Sequence, residues 1–173
     1  MRRLMIIGAG GHGRSVAEAA LASGEFKLTG FLDDAFPELG KVWDFPVLGK
    51  TEDFDRLREV ADAWIVGIGD NRLREKLCRQ LLDDGLTLAT IVHPPALVSA
   101  YVTIGMGSEI MMGAIIGTEA QLGVGTIVNC GAVVDHQSAV ADYGHLGVDA
   151  AMGGGRYWSG VVGCKLGLRW ATA

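Results

Sequence analysis

The spacing of apolar positions changes once along this chain, close to Pro94-Pro95. Before that point, short apolar runs alternate with amphipathic stretches. LMIIGAG (4–10) reads as a buried strand running into glycines, and RSVAEAALASG (14–24) as a helix with Val16, Ala20 and Leu21 on one side and Gly24 as its stop. KLTGFLDD (27–34) predicts a second strand. TEDFDRLREV (51–60) predicts a helix opened by Thr51, with acids in its first turn where the helix dipole favours them. AWIVGIGD (63–70) is a third strand, NRLREKLCRQLLDDG (71–85) an amphipathic helix carrying Leu73, Leu77 and Leu81, and LATIVHP (88–94) a last strand. Strands alternating with helices imply an α/β, Rossmann-like domain over residues 1–93, with a parallel sheet and right-handed crossovers.

From residue 94 to the end at 173 the rhythm is different. Val98, Ile104, Ile110, Ile116, Leu122, Val128, Val134, Val140, Leu146 and Met152 fall at successive sixes, and all are apolar. Two places before each stands a small or β-branched residue, such as Ala96, Ser108, Ala114, Ala120, Thr126 or Ala132. Glycine often follows, as at Gly105, Gly117 and Gly123. Neither a helix nor an ordinary strand returns at six. A parallel β-helix does: six residues make a short strand and a corner, and three such sides close one coil of about eighteen. Both repeat positions then point inward by strand alternation, and the crowded corner keeps one of them small. The sequence alone does not fix the hand of the coil.

Composition narrows the partners. With 49% hydrophobic and 20% charged residues, the 173-residue chain can bury a real core. Twenty-six glycines against four prolines, with no Gly-X-Y period, indicate many tight turns. A net charge of −5 argues against a nucleic-acid surface. Cys78, Cys130 and Cys164 show no metal spacing, and their odd number favours reduced thiols and a cytoplasmic location. The apolar run in MRRLMIIGAGGHG stops at Gly8, too short for a signal peptide, and no run reaches the ~20 apolar residues of a membrane span.

Two groups of residues carry candidate chemistry. Gly8, Gly10 and Gly13 form G-x-G-x-x-G after a strand and before a helix, and Asp33 lies 20 residues further on. Such glycines let the backbone approach a phosphate at a helix start. A nicotinamide cofactor fits them, and so does any phosphorylated nucleoside; the remainder of the chain offers no hydride-transfer domain. In the repeat, His136 falls at a corner and His145 points outward from a flat side. Eighteen-residue coils place Gly154 above His136 and Thr118 below it, which leaves an open notch over the ring. A metal reading needs three converging histidines, and His93 precedes the regular coils, so no metal is expected. A neutral imidazole in the notch suits a general base; a solvated, idle corner histidine is the plainer alternative.

The segments GAGGHGRSV, FLDD, GIGDN and NCGAVVDHQSAVADYGHLGVDAAMGGG together resemble the sugar acyltransferases of the NeuD/PglD type, over residues 1 to about 155. These include UDP-amino-sugar N-acetyltransferases and sialic-acid O-acetyltransferases. The resemblance implies a left-handed β-helix, a homotrimer, acetyl-CoA as donor, and a nucleotide sugar rather than a redox cofactor on the first domain. By position it makes His136 the general base. Asn129, His145 and the open Gly154 would serve acetyl-CoA. Gly10, Gly11, His12, Asp33, Asp34 and Asn71 would contact the nucleotide sugar. Asp33 and Asp34 also fit an exposed turn, His12 a helix-start filler, and Asn129 a structural ladder at coil turns. A non-catalytic nucleotide-sugar-binding trimer is the rival reading.

Two departures from the family pattern stand out. Members carry an acid after the base histidine; Gln137 takes that place here and could orient His136 by a hydrogen bond but brings no charge. After Gly155 the sixes fall on Trp158, Cys164 and Trp170, with Arg156, Val162 and Leu168 in the small slots. The pattern is expected to break there, as in a truncated or frame-shifted tail, leaving an open sheet edge.

Overall fold

The computed structural model describes residues 1–158. In the first half, β1 (Arg2–Ile7), β2 (Phe26–Leu32), β3 (Lys41–Val42), β4 (Phe45–Gly49) and β5 (Ala63–Val66) form one sheet in the order β3-β4-β2-β1-β5. All neighbours are parallel except the β3–β4 hairpin. The central strand β1 is apolar from Leu4 onward because helices or loops cover both of its faces. On one face α1 (Gly11–Ser23) buries Val16, Ala17, Ala19 and Ala20 with Leu4, Ile6, Phe31 and Ile65. On the other, α2 (Asn71–Asp83) buries Leu77, Cys78 and Leu81 with Met5, Ile7 and Trp64.

The expected helix over 51–60 does not form. A run of turns ends in one 3₁₀ turn at Arg58–Val60. Thr51, cast as its cap, instead donates both its N–H and its hydroxyl to Asp34 Oδ1, at 3.0 and 2.7 Å. A tertiary bond has taken the group that would have started the helix. Leu21 and Leu73, read as core-facing, are exposed on their helices. The strand expected over 88–94 splits: Leu88 makes a single parallel bridge to Trp64 of β5, and β6 (Ile91–Val92) pairs with the coil.

From β6 on, two-residue strands recur every six residues: β7 (Leu97–Val98), β8 (Thr103–Ile104), β9 (Glu109–Ile110), β10 (Ile115–Ile116), β11 (Gln121–Leu122), β12 (Ile127–Val128), β13 (Val133–Val134), β14 (Ala139–Val140), β15 (His145–Leu146), β16 (Ala151–Met152) and β17 (Tyr157–Trp158). They stack into three parallel four-stranded sheets. Ile115 pairs with Val133, eighteen residues on, and every other coil pairing keeps that step. The result is a left-handed parallel β-helix. Its interior holds Ile110, Ile116, Leu122, Val128, Val134 and Val140, with Ala114, Ala120 and Ala132 in the small slots.

The break expected at Trp158 does not occur there. Tyr157 and Trp158 continue the register over Ala139 and Val140, and the exposed Arg156 is tolerated because its backbone carries the pairing. The positions expected to break the pattern beyond, at 162, 164, 168 and 170, lie outside the described residues.

One side of the prism, built from β6, β9, β12 and β15, faces the α/β half. Helix α1 packs on β6, while Tyr143 and Val124 from the coil join the core under α2. The fully buried Arg74 ties the halves together: its Nε donates to Gly125 O at 2.9 Å and its Nη2 to Tyr143 O at 2.8 Å. No helix among the described residues is long and apolar enough to cross a membrane.

Candidate active site

The glycine loop after β1 is shaped by backbone geometry. Gly8 has φ +102°, a conformation that side chains resist, and a Cβ on Gly13 would collide with the Gly8 carbonyl. Gly10 caps α1 without any side-chain bond, and no acid occupies the first turn. Gly10 and Gly11 are exposed with open space above them. The start of α1 therefore presents uncapped N–H groups to solvent, an arrangement that favours an anion.

Of the acids expected beside this loop, Asp33 bonds the loop's own backbone and Asp34 turns to Thr51. Asp33 Oδ2 accepts from Ala9 N at 2.7 Å and its Oδ1 from Ala35 N at 2.9 Å, so the carboxylate braces the loop from behind. Asp34 is held by Thr51. Asn71, expected to line an open cleft, is buried, and its Oδ1 accepts from Arg74 Nη2 at 2.8 Å. Its place at the first position of α2 makes it a brace for Arg74.

His12, Asn129 and His145, assigned by resemblance to two different ligands, meet between the two halves. His12 Nε2 lies 2.6 Å from Glu109 Oε2, and the His12 and His145 ring centroids are 6.3 Å apart. Asn129 Oδ1 accepts from Cys130 N, which turns its Nδ2 toward His145 Nε2, 3.5 Å away. Glu109 was absent from the residues singled out in the sequence. It takes the outward position of its strand, between the buried Ile127 and Ile91 on the coils above and below, so a carboxylate stands in an apolar ladder. That contrast was the available signal.

Electrostatics split the two imidazoles. Burial opposes the charge on His12, but the Glu109 carboxylate, by its charge and by its hydrogen bond, outweighs this and raises the ring above its ordinary value; Arg74 opposes. His145 is pushed down to about 4, first by burial, then by Arg74 and by His12. His145 is thus neutral at pH 7, and must gain a proton more easily once unfolded, where its ordinary value is 6.5. Its contribution to stability is complete above 6.5 and is lost as pH falls toward 4. His12 runs the other way: its contribution is complete below 6.5 and is lost as pH rises through its raised folded value. His145→Gln should remove on the order of 2 kcal/mol of acid destabilisation, after allowance for partial solvent access, as read by urea melts at pH 7 and pH 4.5.

His136 stands apart, at the corner after β13. Its side chain is 54% exposed, with Asp135 Oδ2 3.9 Å from Nε2. Asp135 Oδ1 also accepts from His136 N at 2.7 Å, which fixes the carboxylate next to the ring. Gly154 lies directly over the imidazole, where any Cβ would strike Nε2. Gln137 does not orient this ring. In the left-handed region at φ 54°, it donates Nε2 to Glu119 Oε2 at 2.9 Å, one coil below. The charge near His136 comes from Asp135 instead, the residue before it rather than the one after.

An α/β half with an open glycine-loop helix start, docked on one side of a hexapeptide-repeat coil that carries a corner histidine, is the architecture of a class of sugar-modifying acyltransferases. Residues 3–81 match the PglD N-terminal domain family. The acetyltransferase domain of PglB from Neisseria gonorrhoeae superposes with a TM-score of 0.84 at 36% identity, over 91% of this chain and 76% of that one. PerB from Caulobacter crescentus, solved in complex with CoA and GDP-perosamine, gives a TM-score of 0.79 at 38% identity, over 86% and 70%. The UDP-N-acetylbacillosamine N-acetyltransferase of Bacillus subtilis is 36% identical over 117 residues, 64% of this chain and 52% of that protein. The chain thus spans about half the length of this curated relative. It belongs to the PglD/NeuD-type sugar acetyltransferase family.

Proposed function

We propose that the chain transfers the acetyl group of acetyl-CoA to the amine of a UDP-linked amino sugar. The observation that carries this reading is the corner imidazole of His136, exposed beneath Gly154 with Asp135 beside it. The relatives support the substrate class: one is named for N-acetylation of a UDP-sugar, one was solved with CoA and a GDP-sugar, and the PglB domain was also solved with acetyl coenzyme A. The bare start of α1, with Gly10, Gly11 and His12, is the place for the sugar diphosphate.

In the reaction the acceptor nitrogen attacks the thioester carbonyl, forming the C–N bond and a tetrahedral oxyanion. His136 takes the proton from nitrogen, the C–S bond breaks, and the CoA thiolate leaves and gains that proton. Asp135 Oδ2, 3.9 Å from Nε2, is the carboxylate nearest the imidazolium formed on the way. Much of the acceleration comes from holding both substrates at one corner. A homotrimer is part of the reading. Leu97, 67% exposed, and Ile115 stack on the outer face of β7 and β10, an apolar stripe suited to a second copy.

The direct test is release of CoA thiol in the presence of acetyl-CoA and a UDP-amino sugar. Release that needs the free amine supports the reading; no release with any amino-sugar nucleotide defeats it. Gly154→Val should fill the notch, press on the His136 ring and lower kcat/KM at least about tenfold, with the far-ultraviolet spectrum unchanged.

A further inference from the structure

The carboxylate of Glu109 has no place in the transfer chemistry, yet it is the acid most completely removed from water beside the candidate site. It is 0% exposed, and its Oε1 has no hydrogen-bond partner among the described residues. A buried carboxylate needs compensating charge, and two cations surround this one. His12 is bonded to Oε2 at 2.6 Å. Arg74 acts from further away, because its own N–H groups are spent on Gly125, Tyr143, Ile68, Gly69 and Asn71.

The bond also fixes which nitrogen of His12 is used. A carboxylate only accepts, so Nε2 carries its hydrogen toward Glu109, and Nδ1 is the nitrogen left for a ligand. His12 keeps 17% of its side-chain surface exposed, and it belongs to the first turn of α1, beside the open Gly10 and Gly11. With a proton on Nδ1 the ring becomes a cationic donor at a helix start that already favours negative charge.

We propose that Glu109 is a positioning residue that locks His12 through Nε2 and holds it as a cationic donor for the diphosphate of the nucleotide sugar. This rests on the reading of the α1 start as the nucleotide-sugar site. The groups acting on His12 are Glu109 on β9, Arg74 on α2 and His145 on β15; the buried thiol of Cys78 and the phenol of Tyr143 lie near Arg74 and stay neutral. His145 is neutral through the working range, so His12 alone of the two rings supplies charge. Affinity for a diphosphate should then fall as pH rises through the His12 titration.

The test pairs proton NMR titration of His12 with calorimetric binding of UDP and of a UDP-sugar, using Glu109→Gln and His12→Asn. In Glu109→Gln the His12 midpoint should fall by at least about one unit, because the charge and the acceptor that hold the proton are gone. UDP binding near pH 7 should weaken about tenfold in either variant and no further in the double variant, since both remove the same charged donor. Binding of the UDP-sugar, whose two phosphates are both esterified and hold fixed charge, should no longer vary with pH in His12→Asn; UDP is compared at a single pH, because its own terminal phosphate titrates at ~6. An unmoved His12 midpoint in Glu109→Gln overturns the positioning role. A lowered midpoint with unchanged UDP affinity overturns the diphosphate role. A wild-type protein that binds neither UDP nor UDP-sugar at any pH overturns both that role and the nucleotide-sugar reading, while the midpoint still reports on the Glu109–His12 pair. His12→Asn leaves the Glu109 carboxylate in place with a neutral amide before it, so wild type against His12→Asn carries the test of the diphosphate role should Glu109→Gln fold poorly.

Discussion

His136→Ala is expected to lower kcat by about 10² to 10⁴-fold, with acetyl-CoA affinity and the thermal midpoint nearly unchanged. The size follows from the chemistry. An amine attacking a thioester becomes a far better leaving group than the thiolate until its proton is removed, so the step depends on a base within reach. The small cost in stability follows from exposure. The ring is more than half open to solvent, and its backbone carbonyl, not the side chain, accepts from Gly155 N at 2.9 Å. Steady-state kinetics beside a melting curve would check both halves; unchanged turnover would remove His136 from the mechanism. Asp135→Asn should have a smaller effect on kcat, since it takes away the charge and leaves the ring in place.

The second large effect is on stability. Arg74→Met should cost about 3–5 kcal/mol by urea unfolding. The guanidinium is fully buried and donates to carbonyls on both halves, at Ile68, Gly69, Gly125 and Tyr143. Methionine nearly matches the stem in volume but leaves those carbonyls without donors in a place water does not reach. It also leaves Glu109 with His12 as its remaining positive neighbour. The loss should appear first as loosening of the α/β half from the coil, visible as faster amide exchange in α2 before the coil strands exchange. A variant as stable as wild type would show that water or a local shift satisfies the carbonyls.

The coil was legible in the sequence because its rules are local. Each six-residue side repeats one environment, so Val128 or Ala132 can be assigned inside without knowledge of anything distant, and the glycine loop is legible for the same reason. What the sequence hid depends on contacts between distant segments. Thr51 looks like a helix cap until Asp34 is placed beside it. The β3–β4 hairpin turns through Trp43 at φ 51°, a residue that does not advertise such a turn. Asp33, Asp34 and Asn71 were recognisable as polar residues near the loop, but their partners, and so their bracing roles, belong to the tertiary structure. Glu109 reads as a solvent-facing side chain of a repeat until the α/β half is seen to cover that side of the prism. Gln137 reads as a neighbour of His136 until its backbone turns it toward Glu119.

The vertical alignment of His136 and Gly154 also sets a rule for how such a chain can change. Those two residues are neighbours only because one full circuit separates them, so the spacer between them is as much a determinant of the pocket as the residues themselves. Adding or removing one codon there would bring a different side chain over the imidazole and turn every later rung inside out. Excising or duplicating a whole circuit elsewhere would merely shorten or lengthen the column. Length variation in proteins built this way should therefore come in complete circuits or in excursions confined to the edges between faces.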